Sequence, residues 1–263
     1  MKKHTTQITG LWIAILLLAA CNKGENNFFY KEELFPVAFK GYNGSNERLI
    51  IKLDTFTSPL MLSANTSFNS STSFSFYGNQ KTVKLSVTEE NTGKSVLEKE
   101  LKKEDGQAIF SFFYLDGRIG DMPEKAAIEA EKIRIIYMFI PSVTQYSEPV
   151  DIVFGKYYVT PQVFEEKARL NNLKPYEFSE PATIPTFSVA RQEYNGVMTS
   201  ALFSVRIYKT GTNIPYIDGT EYTWNALNST APKPASSNAS SKLYIFSEQP
   251  VGNAMRFFTR FEQ

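Results

Sequence analysis

The chain has 263 residues, 28 of them Lys or Arg and 27 Asp or Glu, with one histidine and one cysteine. That length is enough to bury a real core, and the near-zero balance lacks the clustered positive field of a nucleic-acid-binding surface. The histidine is His4 and the cysteine Cys21, so beyond Cys21 the chain excludes Cys–His and Ser–His catalysis, His/Cys zinc sites and structural disulfides.

The chain opens with Met1-Lys2-Lys3-His4, a short basic stretch, and continues into the apolar run Leu11-Trp12-Ile13-Ala14-Ile15-Leu16-Leu17-Leu18. The run is too short for a mature membrane span and suits a signal segment. It ends in Leu18-Ala19-Ala20-Cys21, which resembles the lipobox of bacterial lipoproteins. The resemblance implies that residues 1–20 are a signal peptide, that the Cys21 thiol is lipidated, and that the chain is anchored in a membrane. Several acyl chains on one residue hold firmly, each buried methylene contributing about 0.8 kcal/mol. By the sorting rule of that family, Asn22 after the cysteine implies the outer membrane. Residues 21–34 are polar at first and aperiodic, which predicts a tether. The Phe/Tyr/Asn/Ser-rich body that follows resembles, in style, accessory surface lipoproteins of the Bacteroidota, a likeness that carries no activity.

From there the dominant period is two. Lys81-Thr82-Val83-Lys84-Leu85-Ser86-Val87-Thr88 puts Val83, Leu85 and Val87 on one face, as a half-buried antiparallel strand requires. Glu90-Asn91-Thr92-Gly93-Lys94 supplies turn chemistry, and residues 95–101 read as the returning arm of a hairpin. Further strands are predicted at 48–54, 71–77, 107–115, 132–140 and 150–158. The segment 132–140 is apolar on both faces, so it predicts a central strand covered on both sides. The strand count over 35–160 predicts a mainly β protein with an immunoglobulin-like antiparallel sandwich, lacking that family's disulfide. Two short helices are predicted: 123–131, with Asp121 as cap and proline in the first turn, and 161–170, opened by Thr160-Pro161. Residues 161–186 then combine a short helix with a linker punctuated by Pro175, Pro181 and Pro185. Residues 187–263 predict a second small β unit, interrupted by a Ser/Asn/Ala/Pro-rich solvated loop at 228–241.

Few constellations carry chemistry. Gly93-Lys94-Ser95 looks like the tail of a phosphate loop, but position 88 is Thr and the context is a hairpin. The acid pairs at 32–33, 89–90 and 165–166 are sequence neighbours, whereas acid–base work needs carboxylates converging from different elements. Asp116-Gly117 and Asp218-Gly219 are turn signals before they are calcium ligands. No cofactor or metal is therefore implied, and no enzyme. The aromatic content is the unusual feature, with 21 Phe and 14 Tyr, most of which must be core. In an extended 220–225, Tyr222 and Trp224 share a face beside Glu221 and Asn225. With Tyr216 nearby, Tyr222, Trp224 and Asn225 form the candidate ligand site, since a sugar ring presents an apolar face and a hydroxylated rim.

The sequence therefore predicts a lipid-anchored outer-membrane lipoprotein acting as a non-catalytic binding or accessory subunit, its ligand a glycan. The alternative is a structural or adhesive envelope subunit that meets protein partners through sheet edges.

Overall fold

The computed structural model describes residues 34–263. The signal segment, Cys21 and the tether lie outside the described residues. Among those described, sixteen strands form four four-stranded sheets, with one three-residue 3-10 turn at Lys103–Asp105.

The first eight strands are β1 (Leu34–Asn43), β2 (Leu49–Leu53), β3 (Phe56–Leu62), β4 (Thr66–Ser75), β5 (Thr82–Glu89), β6 (Ser95–Lys102), β7 (Ala108–Leu115) and β8 (Arg118–Asp121). They make two sheets, ordered β4-β1-β7-β8 and β3-β2-β5-β6. The alternation read in β5 holds: Val83, Leu85 and Val87 are buried and share one core with Ile51 and Leu53 of the neighbouring β2 and with Val37 and Phe39 of β1 and Phe112 of β7 in the other sheet. The remaining strands are β9 (Lys132–Ile140), β10 (Val150–Tyr158), β11 (Val163–Leu173), β12 (Ala182–Pro185), β13 (Arg191–Tyr194), β14 (Val197–Lys209), β15 (Ser240–Glu248) and β16 (Phe257–Glu262). Their sheets are ordered β11-β10-β14-β13 and β12-β9-β15-β16. These enclose a second core rich in stacked rings, among them Tyr137, Phe139, Phe154, Tyr244 and Phe246.

The two units share a topology. The opening strand of each, β1 or β9, lies between an antiparallel neighbour (β4 or β12) and a parallel one (β7 or β15). The parallel strand then pairs antiparallel with the last strand, β8 or β16. In the other sheet β2 sits between β3 and β5, as β10 sits between β11 and β14. They differ at one edge: β6 follows β5 in the chain, whereas β13 precedes β14.

Strand β9 is the hinge of the architecture. Ile133, Ile135, Tyr137 and Phe139 face the second core. Ile136, Met138 and Ile140 on its other side, with Leu243, Ile245 and Phe261, meet Tyr42, Leu115 and Met122 of the first unit. A strand buried on both faces needs a continuous apolar run, which is what 132–140 supplies.

Neither predicted helix forms. Residues 122–130 run as irregular chain between β8 and β9. Ile128 is exposed, so the segment has no apolar stripe to bury, and so short a helix is not stable on propensity alone. The second segment is strand β11, paired with β10 from Tyr158↔Val163 to Val150↔Leu173. Thr160-Pro161-Gln162 is the connection between them, with Gln162 at φ +55. Pairing along β10 outweighs the helix formers Glu165, Glu166, Lys167 and Ala168 because a strand here completes a ladder and sets Arg206 over the Phe164 ring, 4.1 Å from its centroid.

The folded tyrosines set an alkaline limit. Tyr114 donates to the buried Glu89 carboxylate at 2.6 Å, and burial with that bond pushes the Tyr114 hydroxyl up to about 12. Tyr158, burial again dominant and Glu165 beside it, is likewise pushed up to about 12. A raised folded value means stability is fully present below the unfolded tyrosine value of about 10 and lost as pH climbs through about 12. Glu89 is held below the usual carboxylate range by its bonds from Thr92 and Tyr114, so its contribution is lost instead as pH falls through that lowered value. Urea midpoints should hold across neutral pH and begin to fall above about pH 10. A midpoint already falling between pH 8 and 9 would contradict this burial.

Candidate binding cleft

The predicted aromatic site divides. Tyr216 is inside, 1% exposed, with its ring edge-on to Phe139 and its hydroxyl donating to Glu248 at 2.8 Å. Tyr222 and Trp224 are half-buried on either side of the exposed Thr223. Thr223 is held by bonds to Asn253 and Met255, and both rings lean on the second core, Trp224 lying 6.0 Å from Phe257. The indole Nε1 is shut off from water. Asn225 is exposed, but its side-chain oxygen accepts from the backbone of Leu227 and Asn228, an Asx turn closing that loop. Trp224→Ala should therefore cost about 2–3 kcal/mol, somewhat less than a fully buried ring, measured by urea unfolding of a chain starting at Cys21. A change within about 0.5 kcal/mol would mark the ring as a free surface platform.

The acids are committed to structure. Asp151 is 1% exposed and accepts from Arg169, from Asn172 N–H and from Gly211 N–H, tying three segments together. Arg169 also forks onto Glu166. Asp218 lies on the surface beside Lys209. Among the described residues no three His, Cys, Asp or Glu side chains gather to hold a metal.

The feature that stands open is an interrupted sheet edge. Strand β14 pairs with β10 along residues 201–209, from Tyr158↔Ala201 to Val150↔Lys209 without a register break. Its other side meets β13 only at Val197–Ser200. On that side the backbone groups of alternate residues point outward. The Ala201 N–H donates to Ala190 O, the Val205 N–H to Thr230 Oγ1, Val205 O accepts from Ala231 N–H, and Ile207 O accepts from Tyr216 N–H. Phe203 has the same parity, and among the described residues nothing is bonded to its outward N–H and C=O. Phe203 is the residue of this parity with neither group bonded; Ala201 O and the Ile207 N–H also lack a bond among the described residues.

A cleft of about 480 Å³ covers that gap, within the range of ligand pockets. Its walls include Tyr157, Val189, Arg191, Leu202, Ser204, Leu227 and Lys233. Among the described residues two basic side chains line it and no acid does. Lys233 is held by its neighbours in the chain: the Tyr137 hydroxyl donates to Pro232 O, Ala231 is bonded to Val205, and Ser237 exchanges bonds with Phe187. Burial pulls the Lys233 ammonium below the usual lysine value, with no carboxylate among the described residues to offset the loss of water. The Ser204 hydroxyl is buried and bonded to nothing among the described residues, so Lys233 does not activate it as a nucleophile. Among the described residues the cleft offers two cations and no carboxylate, next to the exposed apolar side chains Leu202 and Leu227.

Sequence reasoning passed over this place because the segment carrying Lys233 reads as a solvated loop. In the structure Ser229, Ala231 and Ser237 are buried. The available signal was Pro232-Lys233-Pro234, which stiffens the chain around one cation.

No protein-family model matches the chain, and no curated protein matches it. Among solved structures it is similar to a leucine-rich repeat protein from Bacteroides thetaiotaomicron VPI-5482, at 9% identity and a TM-score of 0.16. That match covers 68% of this chain and 25% of the other, so the chain spans about a quarter of that protein's length.

Proposed function

We propose that this chain is a lipid-anchored outer-membrane lipoprotein serving as a non-catalytic binding or accessory subunit, and that it takes its partner at the open edge of β14. The lipobox-like Leu18–Cys21 supports the anchor. The missing rung at Phe203, covered by a cleft whose cations have no ion pair among the described residues, is the observation that carries the binding role. The two-sheet, eight-strand build of each unit supports the immunoglobulin-like reading of the sandwich. A partner met through the edge of a sheet is favoured over a sugar platform at Tyr222 and Trp224, because those rings lean on the core.

The anchor is tested by Cys21→Ser, which should leave the chain unprocessed or release it from membranes; a processed, membrane-bound serine variant would contradict it. The binding role is tested by Leu202→Arg with Leu227→Arg, two exposed positions at the cleft. In detergent-solubilised membranes the double variant should lose the proteins that co-purify with the unaltered chain, with no change in melting temperature. An unchanged set of co-purifying proteins would overturn the reading.

A further inference from the structure

We propose that the cleft receives the C-terminal end of a peptide chain, its last residue filling the missing rung at Phe203 and its carboxylate meeting Lys233. This rests on the reading that the β14 edge is the binding site and supplies the chemistry of the partner.

The gap is closed on both sides. Ala201 is already bonded to Ala190, and Val205 to Thr230 and Ala231, so the free edge between them spans four residue steps, about 13 Å of strand at about 3.3 Å each. A strand running through would have to displace those bonds. A chain that ends there would not. Phe203 presents both an N–H and a C=O, so the occupant must return a carbonyl and an amide N–H at ladder spacing, as a peptide residue does.

Charge gives the direction. Among the described residues Lys233 is half-buried with no acid beside it, Arg191 stands at the cleft without an ion pair, and none of the lining side chains is acidic. An incoming carboxylate would restore the interaction that burial has removed from the Lys233 ammonium. Val189, Leu202 and Leu227 provide an apolar wall for the last side chain.

The test uses the detergent-solubilised full chain, immobilised, and two pools of random-sequence pentapeptides, one with free C-terminal carboxylates and one amidated. The free-acid pool should be retained at least about tenfold more strongly, with apolar last residues enriched. Lys233→Gln should abolish that preference at unchanged melting temperature, and Lys233→Arg should restore part of it. The best free-acid peptide, resynthesised with its last peptide nitrogen methylated, should bind at least about tenfold more weakly, since it can no longer donate to Phe203 O. Equal retention of the two pools, retention of neither, or binding indifferent to Lys233→Gln would overturn the proposal. Uronate or sialate oligosaccharides run in parallel separate the two readings. Lys233-dependent binding of these without peptide binding would sink the peptide terminus and keep the cleft as the site. Loss of co-purifying proteins in the Leu202/Leu227 variant, with no pool preference, would do the same.

Discussion

Replacing Gly41 with alanine should destabilise the first unit by about 2–6 kcal/mol, combining about 1–3 for a disfavoured backbone and about 1–3 for overpacking. Gly41 sits at φ +149 near the C-terminal end of β1, opposite Phe112 of β7 in parallel and Phe68 of β4 in antiparallel pairing. A Cβ built there lies 1.7 Å from the Phe112 carbonyl oxygen. That neighbour is ladder backbone and cannot swing aside, so β1 would have to leave β7. The matched control is Gly93→Ala: its φ of +68 is also left-handed, but nothing lies within 4 Å of its Cβ. It should cost about 1–2 kcal/mol, the backbone penalty alone. Urea unfolding of the two variants should separate them clearly. Equal midpoints would show that the β1–β7 parallel pair is not packed as described.

Glu248→Ala should cost about 3–5 kcal/mol. Glu248 is 2% exposed at the end of β15, and its carboxylate is fully used. One oxygen accepts from the Val143 and Thr144 N–H groups, each at 2.7 Å. The other accepts from the Thr144 hydroxyl at 2.6 Å and the Tyr216 hydroxyl at 2.8 Å. Alanine orphans four donors, at about 1–3 kcal/mol for each that stays buried and dry. Glu248→Gln should be far milder, about 1–2 kcal/mol. Its oxygen can keep the two backbone donors, while the two hydroxyls rotate to accept from its amide. Chemical unfolding of both variants checks the ordering. Glutamine as damaging as alanine would mean that the charge, and not the hydrogen-bond geometry, holds the 141–146 loop.

What could be read from the chain was local. The alternation of Val83, Leu85 and Val87 and the two-faced run in β9 follow from side-chain periodicity, and the structure buries them accordingly. The helices at 123–131 and 161–170 were misread for two different physical reasons. The first has good helix formers but no face to bury, and the second has helix formers overruled by a ladder with β10. The parallel pairs β1–β7 and β9–β15 join segments far apart in sequence, and no local pattern encodes which strand lies beside which. Strands β9 and β10, grouped by sequence with those before them, pair instead with β12, β14 and β15. The repeat of topology between the units is invisible in sequence for the same reason: it lives in pairing order, not in residue identity.

The candidate site shows the same divide. Reading Tyr222 and Trp224 on one side of an extended segment does not say whether that side faces water or Phe257, and the structure has Trp224 6.0 Å from Phe257. The β14 cleft is assembled from β14, from the chain entering β13 and from the segment around Lys233. Its defining property is an unmade bond at Phe203. A missing hydrogen bond has no sequence signature.

Amide hydrogen exchange at Phe203 tests the central claim most directly. In the isolated protein the Ala201 and Val205 N–H groups, both bonded, should be protected, while the Phe203 N–H between them exchanges faster by at least about tenfold. In the chain isolated with its membrane partner, the Phe203 amide should become as slow as its two neighbours. A Phe203 amide already as protected as Ala201 and Val205 in the isolated protein, or one left fast in the complex, would contradict the binding edge.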